Sequence, residues 1–193
     1  MGTVRGGVRV VLSAEQLLGG GRRRHGVVDE AEYAAFVTER WSALVKAAIF
    51  LGAMPHEAED LVQATLLKCY RKWELVARAD DREGYVYRML LNTLRSERRT
   101  AWYRKRSHAD AGDQPVADGT EAAAIADAVH RALATLSKEQ RDVVVLRYFV
   151  QLSEAQTAQV LGVPAGTVKS RLSRSLAKLS ASHHLADVTG GMS

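Results

Sequence analysis

Lys169, Arg171 and Arg174 follow the small residues Ala165, Gly166 and Thr167 at close spacing, with Ser170 among them. Ammonium and guanidinium groups reach phosphate oxygens and guanine edges, and small residues let a backbone come near a duplex. The chemistry on offer is recognition, not bond-making. A second set, Arg88, Asn92, Arg95, Ser96, Arg98 and Arg99, occupies one short segment, followed by Trp102 and Tyr103 among Arg104, Lys105 and Arg106. Cations that track a backbone, with rings that stack on bases, suit single-stranded DNA. Packing in a core is the competing role for Trp102. No phosphate-cradling glycine loop and no nucleophile–base pair stands at a recognisable spacing. The histidines, His25, His56, His108, His130, His183 and His184, are scattered or near the end, and His183–His184 reads as a solvated pair. A nucleic-acid enzyme is therefore disfavoured, and no metal, cofactor or catalytic residue is expected. The single cysteine, Cys69, permits no internal disulfide, paired-cysteine zinc site or CxxC motif, and it lies on an apolar stripe as a core residue would.

The elements that would hold the first set form a helix-turn-helix. Ser153 followed by Gln156 is a capping box that starts a helix. Ala158 is small enough for two crossing helices to approach, and Gly162 can take the left-handed conformation that ends the first of them. Val163 plugs the angle, and Pro164 or Ala165 starts the second helix. Its buried stripe is expected to be Val168, Leu172, Leu176 and Leu179. Ala165, Gly166, Lys169, Ser170, Ser173 and Arg174 then face outward, with Arg171 at the flank. Such a helix fits the major groove, about 12 Å wide. A plain helical hairpin with a solvated basic face is the bland alternative.

The rest of the chain also reads as helical. Tyr33, Phe36, Val37, Trp41, Leu44, Val45 and Ala48 recur at spacings of three and four. Gly52 and Pro55 interrupt, and Pro55 suits a first helical turn. The next helix carries Val62, Leu66, Cys69 and Trp73 on one stripe and Asp60, Gln63, Leu67 and Arg71 on another. A turn near Ala79–Arg82 leads to a third helix with Tyr85, Met89 and Leu90 inward. At least three more helices lie between Glu121 and Leu179, with no strand signal. The expected fold is all-α: two small helical domains, 29–106 and 123–180, joined by a flexible linker over 107–122. Residues 1–28 read as a disordered extension, with a misplaced start codon as the alternative, and 181–193 as a frayed tail. No run approaches the roughly 20 apolar residues of a membrane helix, and no secretion signal follows Arg22–Arg24. The 193 residues carry a net charge of +5, which favours a polyanionic partner.

Taken in order, these segments resemble the extracytoplasmic-function (ECF) group of the sigma-70 family of RNA polymerase sigma factors. Asp60–Trp73 is similar to the family's region 2.2 helix, Tyr85–Arg99 to regions 2.3 and 2.4, and Leu133–Leu179 to region 4. The run Tyr87-Arg88-Met89-Leu90-Leu91-Asn92-Thr93 resembles the actinobacterial SigE-type subgroup most. Ala64 stands where family members usually carry an acid, and Thr157 where a branched aliphatic is common.

The resemblance implies a cytoplasmic, non-enzymatic initiation factor, monomeric when free. Its partners would be core RNA polymerase (β and β′ subunits), promoter DNA and an anti-sigma factor, with no membrane. Asp60, Gln63, Leu67 and Arg71 would dock on the β′ clamp helices. Arg88, Asn92, Arg95, Ser96, Arg98 and Arg99 would bind the −10 element. Ala165, Gly166, Thr167, Lys169, Ser170, Arg171 and Arg174 would read the −35 element. The linker, which carries Asp110, Asp113, Asp118 and Glu121, would thread the RNA exit path as a mimic of nucleic acid. The main rival is a dimeric helix-turn-helix repressor or activator that binds duplex DNA without polymerase. A basic protein lying on anionic lipid is a weaker one.

Overall fold

Gly52 and Pro55 stop and restart the chain where expected. In the computed structural model, which describes residues 30–105 and 121–181, α1 runs Glu30–Phe50 and α2 Pro55–Arg71. Gly52 has φ 96°, and Pro55 opens α2, where its missing N–H leaves no bond unmade. The N-terminal extension, most of the linker and the tail lie outside the described residues.

α2 ends earlier than the continuous Asp60–Trp73 helix predicts. The Lys72 backbone leaves the helical region (φ −124°, ψ 25°), and Trp73 begins a separate short helix, α3 (Trp73–Ala77). The Trp73 ring is still buried, edge-on to Tyr33 at 5.1 Å and tilted against Phe36 at 5.2 Å. α4 follows as Arg82–Lys105, longer than expected at both ends. Asp81 begins it: its Oδ1 accepts from the Gly84 amide at 2.9 Å, a partner for one of the helix's otherwise unpaired N–H groups.

The second half comprises α5 (Glu121–Ala134), α6 (Lys138–Val144), a π-helical turn (Val145–Phe149), α7 (Glu154–Leu161) and α8 (Ala165–Ser180). No strand occurs among the described residues. The π turn, closed by a Val150 N–H to Val145 carbonyl bond of 3.0 Å, has no counterpart in the sequence reading. It buries Val145 and Leu146 and leaves Tyr148 and Phe149 exposed.

The core is built from the predicted stripes. Leu44, Val62, Cys69 and Leu90 are buried completely or nearly so. Each fully buried Leu or Val of this kind contributes about 1.5–3 kcal/mol. The apolar cluster continues into the second half through Leu133, Leu146, Leu152 and Val160. α7 lies against α4, α5 and the π turn lie against α1, and the Phe149 ring meets Phe50 at 4.4 Å.

Candidate nucleic-acid and polymerase interfaces

The helix-turn-helix is built as its residues dictate. Ser153 caps α7: its hydroxyl accepts from the Gln156 amide at 3.1 Å, while the Gln156 side chain accepts from the Ser153 amide at 2.8 Å. Gly162 ends α7 in the left-handed region (φ 68°, ψ 39°), and Pro164 precedes α8 in an extended conformation. Val143, Ala158 and Val168 form a small core between the crossing helices, with Val163 and Leu172 packed against it.

The buried stripe of α8 differs from expectation at one residue. Val168 and Leu179 are buried and Leu172 is half-buried, but Leu176 is 38% exposed and Ser175 is buried instead. A stripe at 168, 172, 175 and 179 keeps to 3.6 residues per turn, whereas steps of four drift off the face. The buried Ser175 hydroxyl donates to the Arg171 carbonyl at 2.7 Å, so its polarity is satisfied.

On the opposite side of α8, Ala165, Gly166, Lys169, Ser170, Ser173 and Arg174 are exposed, and Thr167 and Arg171 are half-buried at the edges. Arg174 donates twice to Ser170, from Nε to its carbonyl at 3.1 Å and from Nη2 to its hydroxyl at 3.4 Å, and its side chain stays exposed. No side chain caps the helix start, and a Cβ added at Gly166 would meet nothing within 4 Å. The fold itself therefore does not need glycine there. Glu139, at the start of α6, has its carboxyl pKa lowered first by its backbone hydrogen bond, with smaller help from Ser137, Lys138 and Arg171.

On α4, Arg88, Asn92 and Arg99 are exposed at steps of four and seven, with Arg95 half-buried between them on the same stripe. Ser96 is half-buried beside it. Arg98 points elsewhere: its Nη2 donates to the carbonyls of Leu51 (3.2 Å) and Gly52 (2.6 Å), tying α4 to the α1–α2 turn. Burial, then the neighbouring Arg141, lowers its pKa. The side chains of Trp102 and Tyr103 lie outside the described residues.

On α2, Asp60 and Arg71 are exposed and Gln63 and Leu67 half-buried, one stripe opposite Val62, Leu66 and Cys69. Lys68 Nζ donates to Thr93 Oγ1 at 2.9 Å and Tyr33 donates to the Leu66 carbonyl at 2.9 Å, so α2 is fixed against both α4 and α1. Cys69 is fully buried, and burial pushes its thiol up to about 11. It is therefore protonated at neutral pH and is a poor nucleophile. No group of three or more His, Cys, Asp or Glu side chains among the described residues could hold a metal ion, and no described helix is long and apolar enough to cross a membrane.

The structure also brings together residues that the sequence did not connect. Asp142 on α6 lies 3.4 Å from Arg95 Nη2 on α4 and 3.0 Å from Lys138 Nζ. The Lys138 pairing was readable from its i,i+4 spacing, but the 47-residue separation from Arg95 leaves no local trace.

Residues 38–104 match Sigma-70 region 2, and residues 126–179 match Sigma-70, region 4. The chain belongs to the sigma-70 family of RNA polymerase sigma factors, which are transcription initiation factors. Within the family it falls in the ECF group, on the SigE-like side. It is 37% identical over 153 residues to the RNA polymerase sigma-E factor of Streptomyces coelicolor, covering 77% of this chain and 84% of that one. To the ECF RNA polymerase sigma factor SigL of Mycobacterium tuberculosis it is 33% identical, covering 72% and 81%. Among solved structures it is similar to the sigma factor RpoE of Bartonella quintana in complex with the anti-sigma factor NepR (TM-score 0.65, 26% identity, 77% of this chain and 94% of that one). It is also similar to CnrH in complex with the cytosolic domain of CnrY (TM-score 0.60, 27% identity, 83% and 91%).

Proposed function

We propose that this sigma factor divides promoter recognition among three surfaces. The α2 stripe of Asp60, Gln63, Leu67 and Arg71 docks on core RNA polymerase at the clamp helices of β′. The α4 stripe of Arg88, Asn92, Arg95, Ser96 and Arg99 binds the −10 element as melted non-template strand. The outward face of α8, from Ala165 to Arg174, enters the major groove at the −35 element. The observation that carries this reading is the pair of cationic faces on α4 and α8. Each lies outside the core and has few acids: Glu83 and Glu97 on α4, none on α8.

Opening the promoter makes and breaks no covalent bond, so no catalytic residue is needed. The protein binds separated strand better than duplex and so shifts the equilibrium between them. Extruding a base costs a few kcal/mol, and stacking worth about 1–3 kcal/mol per base offsets it. At α8, the uncapped first amides beside Ala165 and Gly166 favour a phosphate, Lys169 and Arg174 reach base edges or the backbone, and Arg171 steadies the flank. The protein acts in the cytoplasm, where its polymerase is. A protein partner of the anti-sigma kind, as in the two solved complexes, holds it inactive.

The test is surface-specific. Purified chain is mixed with sigma-free core polymerase and run on a sizing column. The wild-type chain co-elutes, a variant carrying Asp60→Ala and Arg71→Ala does not, and Lys169→Ala with Arg174→Ala co-elutes but loses −35-dependent transcription. Undiminished co-elution of the α2 variant would remove the docking assignment. Binding of the free chain to duplex operators as a dimer, without core, would favour the repressor or activator reading.

A further inference from the structure

α1 and α4 enclose a cavity of about 160 Å³ that belongs to none of the three surfaces assigned above. Phe36, Leu44 and Val86 form its apolar walls, and each is buried. Tyr87 also lines it, about 100° round α4 from the outward Arg88. The Tyr87 side chain is only 4% exposed, and its hydroxyl makes no hydrogen bond to a described residue. Burial raises its pKa to about 12, so at neutral pH it remains a phenol with a donor and an acceptor to offer. Buried hydroxyls in folded proteins are paired as a rule, so this one marks a place for a further polar group.

The rim of the cavity is charged unevenly. Arg40 serves two carboxylates, Glu83 at 3.0 Å and Glu39 at 3.5 Å. Arg82, the other guanidinium at the rim, is drawn away from them. It donates to Glu32 at 2.6 Å and to the Ala77 carbonyl at 3.1 Å, and it lies over the Trp73 ring at 5.3 Å. Glu39 and Glu83 therefore share one cation, and a second would complete the set. The volume falls below the roughly 300 Å³ at which pockets for free small molecules begin, yet it admits one long side chain. That side chain needs an apolar stem for Phe36, Leu44 and Val86, a positive head for Glu39 and Glu83, and an N–H for the Tyr87 oxygen. Arginine supplies all three.

Arginines stand close by in the sequence. Arg22, Arg23 and Arg24 lie six to eight positions before Glu30, where α1 begins. Residues 1–28 hold five arginines and one acid, Glu15. Six extended residues reach about 20 Å, and Glu39 stands about 14 Å along α1 from Glu30. We propose that an arginine of Arg22–Arg24 seats in this cavity and straps the N-terminal extension to α1 and the start of α4. The strap braces α4 just ahead of Arg88. It commits the arginine run to the protein's own acids rather than to a nucleic-acid backbone.

The experiment uses the full chain without polymerase or DNA. Gly20→Cys in the extension and Ser42→Cys on the exposed side of α1 carry spin labels, and pulsed electron paramagnetic resonance reads the distance between them. Cys69 is buried and stays unlabelled in the folded chain. A seated extension gives a narrow distance population. Replacing Arg22, Arg23 and Arg24 together by alanine, outside the described helices, is expected to cut that population about two- to fivefold, the effect of losing one partly exposed ion pair. Glu39→Gln, on the other side of the contact, is expected to do the same, and Tyr87→Phe to weaken the seat less. A broad distribution in the chain with Arg22–Arg24 intact overturns the strap. So does a narrow population that survives either the arginine or the Glu39 change. A narrow population that appears only when polymerase or duplex DNA is added also overturns it, because the arginines then serve that partner. None of these readouts depends on the sigma reading, whose failure shows separately as a chain that does not associate with core polymerase.

Discussion

Replacing Gly166 by alanine separates what the fold needs from what DNA needs. In the free protein the added methyl meets nothing within 4 Å, and Gly166 lies in regular helix near the start of α8. Alanine is favoured over glycine in a helix interior by about 1 kcal/mol. Near the first turn part of that remains, so the variant is expected to be more stable by about 0.5 kcal/mol. On DNA the sign reverses. A methyl projecting from the second residue of α8 stands between the helix start and the phosphate it is proposed to approach. Loss of one hydrogen bond to a charged group costs about 1.5–3 kcal/mol, which is roughly 10- to 150-fold in affinity. Thermal unfolding gives the first quantity. Transcription by reconstituted holoenzyme from promoters with intact and scrambled −35 elements gives the second. A lowered melting temperature would refute the account of the turn. Undiminished −35-dependent transcription would refute the close approach of this helix start to the backbone.

Other perturbations test the local physics. Gln151 is a non-glycine residue at φ 64°, a conformation that costs an L-residue roughly 1–2 kcal/mol. Its side chain is exposed, so Gln151→Gly is expected to stabilise by about 0.5–1 kcal/mol after glycine's greater unfolded entropy is counted. A chemical denaturation midpoint that falls would contradict this. Cys69 has its folded pKa raised from 9.0 to about 11. The sign follows from which state ionises first: the contribution is intact below the unfolded value and is lost as pH climbs from 9.0 towards about 11. The loss is about 1.4 kcal/mol per pH unit. Tyr87, raised by burial to about 12, adds its own loss only from 10.0 upward. Cys69→Ala should therefore flatten the decline between pH 9.0 and 10.0, measured by urea unfolding, and a decline of the same slope in the variant would count against the assignment.

The parts legible in the sequence are those whose causes are local. The Ser153–Gln156 box, the left-handed Gly162 and the outward residues of α8 all follow from rules spanning a few positions, and the structure keeps each of them. The same spelling at Ser137 and Gln140 caps α6. The stripe of α8 departs from expectation at Leu176 because successive steps of four drift off a 3.6-residue face. The π turn leaves no signal because Val145–Phe149 reads like any apolar helix end, and the contact of Phe149 with Phe50 lies about a hundred residues away in sequence. Arg98 looked like its neighbours on a basic helix. Only its distance to the Leu51 and Gly52 carbonyls separates a structural tie from the open cations around it. Asp142 with Arg95 is the extreme case, since neither residue alone carries any sign of the other.

The most direct test of the central claim is strand opening by the reconstituted holoenzyme. Core polymerase with and without the chain is incubated on genomic promoter fragments, unpaired thymines are probed with permanganate, and RNA start sites are mapped on the same templates. The account predicts discrete start sites that depend on the chain, each with reactive thymines at its −10 element, and loss of that reactivity when Arg88 and Asn92 are both replaced by alanine. Start sites and permanganate patterns that are the same with and without the chain would contradict it.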